Sequence, residues 1–183
     1  LGLSGEGWFD GYGLMQAFRR KARAIGADYI ASEVVGLDTT DGSQVDALRL
    51  ADGSTIRAGH VVNAAGPWSR SVAAMAGVDL PVEARRRCVF AFDSQEAVTG
   101  CPLVIDTSGI WFRPEGESFI GAIAPPPEED LDGLPLTVDP RQFDDRVWPA
   151  LAQRIPAFDR IKPRRSWAGY YEYSTFDQNG FIG

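Results

Sequence analysis

Three consecutive arginines, Arg85-Arg86-Arg87, stand inside a run of strand-forming residues. Because side chains alternate along a strand, Arg85 and Arg87 point to one side and Arg86 to the other. A guanidinium directed into a cleft can bind a carboxylate through two parallel hydrogen bonds. Arg87 is therefore a candidate for binding an acidic small molecule, although a solvated basic sheet edge is the commoner role of such a run.

An aromatic segment near the end of the sequence, residues 167–173, reads Trp-Ala-Gly-Tyr-Tyr-Glu-Tyr. In a strand, alternation places Tyr171 and Tyr173 on one face and Tyr170 and Glu172 on the other. One face could form a wall beside a planar cofactor. The alternative is aromatic packing in a sheet core, which is the more common use of such residues.

A third candidate is residues 61–69, Val-Val-Asn-Ala-Ala-Gly-Pro-Trp-Ser. We predict a buried strand over His60–Ala65, then a glycine turn and a helix that ends at Gly77. Small residues at the end of a strand let the backbone approach a ligand closely at a sheet edge, where open α/β folds bind cofactors. An ordinary strand with a glycine turn remains an equal alternative.

Composition limits the classes of partner. The 183 residues carry a formal net charge of −7, which disfavours binding to a nucleic acid or an anionic membrane. Cys88 and Cys101 have neither a CxxC spacing nor a histidine nearby, so we predict no metal site and no disulfide framework. No apolar run approaches the roughly 20 residues that span a bilayer. We expect a cytoplasmic protein that acts on a small molecule.

Periodicity predicts the elements around these candidates. Asp10 is expected to cap a helix from about Gly13 to Ala24, followed by strands over residues 29–37, 45–50 and 55–58. Asp52-Gly53 between the last two strands is a hairpin signal.

From Pro81 onward the pattern indicates a mostly antiparallel sheet, with a last long strand over residues 165–173. The acidic, proline-rich residues 125–136 are predicted to form an exposed loop. A helix is expected over 140–155, with Phe143, Val147 and Leu151 on its inner face. The predicted fold is thus mixed α/β (α+β): a partial Rossmann-like layer up to residue 78 and then a sheet-and-helix domain.

Four segments together resemble one family. They are Glu-Gly-Trp-Phe-Asp at 6–10 with Leu14, the segment at 61–69, Trp-Ala-Gly-Tyr-Tyr at 167–171, and Phe-Asp-Gln-Asn-Gly at 176–180. Their order is similar to that in the middle of D-amino-acid-oxidase-like flavoproteins, which include glycine oxidase and sarcosine oxidase. The chain resembles most of all the mitochondrial FAD-dependent oxidoreductase-domain proteins implicated in respiratory complex I assembly.

The resemblance implies a domain plan and roles for matched positions. Residues 1–78 would be a partial FAD-binding domain, 79–170 a substrate-binding domain, and 171–183 a return toward the FAD domain. The backbone of Val34 would contact the adenine. The turn beside FAD would comprise Ala65, Gly66 and Trp68. The substrate pocket would include Tyr170, Tyr171 and, from the residue pattern above, Arg87.

Departures from the family pattern carry their own implications. The Gly-x-Gly-x-x-Gly turn that holds pyrophosphate has no counterpart, since Gly11-Tyr12-Gly13 follows no strand and lacks the third glycine. Tyr170 stands where sarcosine oxidases attach flavin through a cysteine, which implies non-covalent FAD. Tyr171 stands where glycine oxidase binds the substrate carboxylate with an arginine, so that charge would have to come from the arginine run.

The implied reaction is the oxidation of an amine or amino acid, with hydride transfer to flavin N5; the sequence does not identify a catalytic base. The sequence starts with Leu1 rather than Met, so we expect an internal fragment of a longer enzyme, inactive by itself and binding FAD weakly or not at all. The alternative function is a non-catalytic flavin-fold assembly or interaction factor.

Overall fold

The computed structural model describes residues 5, 7–42 and 44–182. The chain is mixed α/β, as predicted, with two antiparallel sheets and accompanying helices. The described residues form two compact units. One comprises the residues up to Ala64 together with Ser71–Asp79, and the other comprises Ala65–Arg70 together with the residues from Leu80 onward.

The elements have the following bounds. The α-helices are α1 (Gly11–Ala24), α2 (Ser69–Met75) and α3 (Trp148–Arg154). The strands are β1 (Val34–Thr40), β2 (Gln44–Leu50), β3 (Thr55–Arg57), β4 (Val82–Ser94), β5 (Val104–Ile105), β6 (Ile110–Glu115), β7 (Ser118–Ile123) and β8 (Ile161–Ser174). Short 3-10 helices cover Gly66–Trp68 and Pro156–Arg160, and a π-helical turn covers Phe143–Val147.

The first unit contains α1 and the meander β1-β2-β3. Helix α1 confirms the prediction from its cap, because a carboxylate oxygen of Asp10 accepts a hydrogen bond from the Gly13 N–H at 2.9 Å. The turn between β2 and β3 confirms the hairpin, and Gly53 has φ 84° there. Left-handed backbone of this kind favours glycine.

Two strand predictions in this unit were wrong in whole or in part. The strand expected over 29–37 begins only at Val34, and His60–Ala65 forms no strand. Val62 is 88% exposed. An apolar run becomes a strand only where a neighbouring strand supplies hydrogen bonds, and in the part of the chain that the structure describes no strand pairs with this segment.

The second unit is built on a five-stranded antiparallel sheet in the order β5-β6-β7-β4-β8. The long strands β4 and β8 pair along their whole length, from Val82 opposite Ser174 to Ser94 opposite Ile161, with an irregularity between Ala91 and Phe92. The predicted strand over 165–173 is confirmed and extends further at its start.

The core of this unit is aromatic. Phe158 is fully buried, and its ring lies 5.3 Å from the Phe92 ring, 5.4 Å from Phe112 and 5.0 Å from Phe119, measured between centroids. The helical segment contributes the buried residues Phe143, Val147 and Leu151, as its predicted inner face requires. Burial of this many rings dominates the stability of such a unit.

The acidic segment 125–136 has no buried residue and is largely exposed, as predicted, but part of it is tied to the edge of β4. Asp132 forms a bridge with Arg85, the N–H of Gly133 donates to the Ala84 carbonyl at 3.0 Å, and the N–H of Ala84 donates to the Asp132 carboxylate at 2.8 Å. Strand β7 pairs with β4 only at residues 90–92. The remaining edge of β4 therefore leaves backbone groups that the acidic segment satisfies.

Candidate functional site

The pairing of β4 with β8 decides which candidate side chains share a face of the sheet. Arg85 lies opposite Tyr171, Arg86 opposite Tyr170, and Arg87 opposite Gly169. Directly opposed residues project to the same side. The predicted alternation is therefore confirmed.

One side carries what we call the charged aromatic face: Arg85, Arg87, Tyr171 and Tyr173. The guanidinium carbon of Arg87 lies 5.0 Å from the centroid of the Tyr171 ring, and that of Arg85 lies 5.1 Å from the Tyr173 ring. The two tyrosine rings meet edge to face at 6.1 Å. Contacts between cations and rings at these distances are attractive and hold the side chains in fixed positions.

Both arginines of this face are also bound by acids of the same chain. Arg87 donates to the two carboxylate oxygens of Asp130 from Nη1 at 2.6 Å and from Nη2 at 2.9 Å. Arg85 lies 2.5 Å from the carboxylate of Glu83. The Arg87 contact is the bidentate arrangement predicted for a bound carboxylate, but its carboxylate comes from the acidic segment.

Sequence reasoning did not find Asp130. It lies 43 positions beyond Arg87, and nothing local connects them. The signal that was available is charge complementarity, since the acidic run 128–132 is the counterpart of the arginine run 85–87.

The opposite face brings together other predicted residues. Tyr170 donates from its hydroxyl to the Leu134 carbonyl at 2.8 Å, and its ring meets the Trp68 ring edge to face at 6.1 Å. Gly66 has φ 54°, and a Cβ built there would lie 3.8 Å from the Glu172 carboxylate. The glycine turn thus packs on β8 through backbone and an exposed indole.

A cavity of about 340 Å³ lies on that same face, beside the helical segment. Its wall includes Arg86, Cys88, Pro125, Glu129, Leu134, Asp139, Arg141, Gln142, Asp145 and Arg146. Burial raises the pKa of the Cys88 thiol, which therefore stays protonated near neutral pH. Arginines and acids line the cavity in equal number, so it carries no strong charge of either sign.

The predicted site residues therefore fall in three places. Val34 opens β1 in the first unit and is half-buried. Ala65, Gly66 and Trp68 form the turn that contacts β8 near Tyr170. Tyr171 and Arg87 meet on the charged aromatic face. Their roles toward a cofactor or substrate remain predictions.

Among residues 5, 7–42 and 44–182, His, Cys, Asp and Glu side chains form no cluster able to hold a metal ion. In this described part of the chain, no helix has both the length and the apolar character needed to cross a membrane. Cys88 and Cys101 are both free thiols.

Comparison with known proteins gives consistent matches. The chain is 38% identical over 213 residues to the FAD-dependent oxidoreductase domain-containing protein 1 of Bos taurus, an alignment that covers the whole chain and 44% of that protein. It is also 38% identical to the Xenopus laevis protein of the same name, of which it covers 43%. The chain thus spans less than half the length of these relatives.

Solved structures with a similar fold include two enzymes of amino-acid oxidation. The L-proline dehydrogenase of P. horikoshii superposes with a TM-score of 0.79 at 27% identity, covering 94% of this chain and 46% of that one. Glycine oxidase from Geobacillus kaustophilus gives a TM-score of 0.74 at 22% identity, covering 93% of this chain and 44% of that one, and shows a shared fold. The family model "FAD dependent oxidoreductase" matches residues 1–183. The chain therefore belongs to the FAD-dependent oxidoreductase family, as its sequence motifs predicted.

Proposed function

We propose that this chain is the substrate-side part of an FAD-dependent oxidoreductase that oxidises the carbon–nitrogen bond of an amine or amino acid. One observation carries the proposal. Two consecutive residues of β8 have separate partners: Tyr170 contacts Trp68 of the glycine turn, and Tyr171 lies under the Arg87 guanidinium. A flavin-side contact and a substrate-side contact would thus meet at one point of the sheet.

The position of β8 supports this arrangement. Within the described residues, β8 is the last strand in the order of its sheet. A flat ligand lying across the end of a sheet can contact side chains of both faces of its edge strand. Tyr170 and Tyr171 could therefore border one site although they point in opposite directions.

The glycine turn fits the approach of a flavin ring. Gly66 adopts left-handed backbone, and little besides the Glu172 carboxylate lies near the position of its absent Cβ. Bare backbone of this kind lets a planar group come close. Ala65, Gly66 and Trp68 are the residues that we propose to lie beside the flavin, with Val34 beside the adenine.

The pyrophosphate of FAD does not fit the start of α1. The Asp10 carboxylate occupies that helix end and accepts the Gly13 N–H, so a phosphate would meet a negative charge there. We accordingly expect the chain by itself to bind FAD weakly or not at all, and non-covalently in the whole protein.

The chain's own contribution to the reaction would be binding and orientation. FAD, when bound, supplies the acceptor of a hydride at flavin N5. Tyr171 would provide an aromatic wall against the substrate, and the Arg87 guanidinium would set the charge behind that wall. Trp68 and Tyr170 would fix the glycine turn against β8.

The test uses the protein at the length of its relatives, loaded with FAD and mixed without oxygen with L-proline, glycine, iminodiacetate and simple secondary amines. We expect at least one of them to bleach the visible flavin bands. The control is tert-butylamine, which has no hydrogen on the carbon next to nitrogen and cannot donate a hydride.

Bleaching by an amine but not by tert-butylamine supports the proposal. A protein that holds FAD and is reduced by none of these compounds contradicts it and favours the non-catalytic assembly factor. A protein of that length that holds no FAD contradicts both.

A further inference from the structure

The acidic segment places Asp130 opposite Arg87 by its pairing with β4. Asp132 bridges Arg85, the Gly133 N–H donates to the Ala84 carbonyl, and the Ala84 N–H donates to the Asp132 side-chain carboxylate. Arg70 adds an ion pair to Asp132 at 3.6 Å. In this antiparallel register Asp132 lies opposite Arg85. Asp130, two residues before Asp132, therefore lies level with Arg87, two residues after Arg85. The contact is thus fixed by backbone pairing as well as by charge.

The environment makes this contact different from an ordinary surface ion pair. The Arg87 side chain is 24% exposed and that of Asp130 is 16% exposed. Arg87 is held further by its stacking on Tyr171 and by donation to the Arg86 carbonyl at 2.9 Å. A carboxylate from outside could reach the same donors only by displacing Asp130, which would then be left partly buried without its cation.

Arg85, the second cation of the charged aromatic face, is also paired with an acid of the same chain. Its Nη2 forms an ion pair with the Glu83 carboxylate and the side chain is 18% exposed, although its buried Nε has no hydrogen-bond partner among the described residues. Both positive charges of this face are therefore paired with acids of the same chain, while Tyr171 is 43% exposed. A neutral aromatic surface of this kind suits an apolar or cationic group better than a second carboxylate.

We infer that Asp130 determines specificity: it fills the carboxylate-binding position of Arg87, so that the site accepts amines lacking a free carboxylate at that point. The inference rests on the proposed function and narrows its substrate class. Replacing Asp130 should open Arg87 to carboxylates from solution.

The test follows the Nε–H signal of Arg87 by NMR in the full chain while sodium acetate is added, with sodium chloride at equal ionic strength as the reference titration. Asp130→Ala should bind acetate at least about tenfold more tightly than wild type, the scale of one charge-assisted hydrogen bond. In the double variant Arg87→Ala/Asp130→Ala, followed by calorimetry, the gain should disappear.

The matched control is Glu129→Ala. It removes the same charge from the preceding position, but Glu129 binds Arg146 at 2.7 Å rather than Arg87. Its acetate titration should resemble that of wild type. If Asp130→Ala does not fold, Asp130→Asn keeps the shape and removes the charge, and a smaller gain in the same direction is expected.

In the acetate titration, the inference would be overturned by wild-type binding as tight as that of the variants, or by no gain in any folded Asp130 variant. Because acetate titration requires no flavin, this failure is distinct from failure of the proposed function. In the FAD-loaded protein, Asp130→Ala should raise kcat/KM for N-methylglycine relative to dimethylamine. An unchanged ratio would contradict the inference even if both amines reduce the flavin.

Discussion

The two halves of β4 differ in what surrounds them. In the second half, Phe90 is 3% exposed and Phe92 is fully buried among other rings. In the first half, Arg85 and Arg87 lie over tyrosine rings and against acids of the same chain. Rings in a core are stabilised by many neighbours, whereas each of these arginines has few partners, chiefly one acid and one ring. The second half is therefore part of the folding core, and the first half is the part to which the proposed function assigns binding.

The largest expected effect is on the core side. Phe158→Ala should lower the free energy of unfolding by about 3–5 kcal/mol, because it removes a fully buried ring that contacts Phe92, Phe112 and Phe119. Urea denaturation measures the change. Phe176→Ala, at a side chain 80% exposed, should stay within about 0.5 kcal/mol of wild type. Equal losses at both positions would remove the distinction between core and surface.

Arg87→Gln should have the next largest effect. It leaves the mostly buried Asp130 carboxylate without its cation, which should cost about 1–3 kcal/mol in urea denaturation. Arg141→Gln breaks a similar pair with Asp139, but Arg141 is 81% exposed, so a change below about 0.5 kcal/mol is expected. If both substitutions are neutral, the Arg87 pair is an ordinary surface contact.

Gly66→Ala tests the turn on β8. The backbone at φ 54° is strained for alanine, although a Cβ has room, so we expect a loss of about 1 kcal/mol. Gly169→Ala is the control, because a Cβ there meets nothing within 4 Å and the residue lies in β8 without positive φ. Because neither position is crowded, the difference in melting temperature between the two variants reports the backbone strain at Gly66. Equal melting temperatures would contradict the assigned conformation.

The smallest effect concerns acid stability at the far end of β4. The hydrogen bond from Arg164, and then that from the Ser118 hydroxyl at 2.7 Å, lower the pKa of Asp93. A carboxyl group with a lowered pKa in the folded state stabilises the fold above its unfolded pKa and loses that contribution as pH falls through the folded value.

The free energies of unfolding of wild type and Asp93→Asn, measured by urea denaturation, should therefore differ most near pH 6. The difference should shrink as pH falls below about 4, the usual pKa of aspartate. Ser118→Ala, which removes one of the two hydrogen bonds, should narrow the difference only in part. A difference that grows toward acid pH would contradict the sign of this contribution.

The sequence predicted what depends on neighbours along the chain. Helix α1 with its Asp10 cap, the turn at Gly53 and the alternation of Tyr170 and Tyr171 follow from local backbone chemistry and were confirmed. The pairing of Arg87 with Asp130 could not be predicted, because it requires two distant segments to meet in one register. The strand expected at 60–65 was wrong for the related reason that strands depend on partners rather than on composition.

In the proposed function, the charged aromatic face of the first half of β4 would serve binding, whereas the second half of β4 serves folding. The most direct measurement compares Tyr171→Leu and Phe90→Leu in the FAD-loaded protein, by thermal unfolding and by the rate of amine-dependent flavin reduction. Tyr171→Leu should keep the free energy of unfolding within about 0.5 kcal/mol of the wild-type value and slow flavin reduction at least about tenfold. Phe90→Leu should cost about 1 kcal/mol and leave the rate unchanged. A slower reduction in Phe90→Leu alone, or equal changes in both variants, would contradict the account.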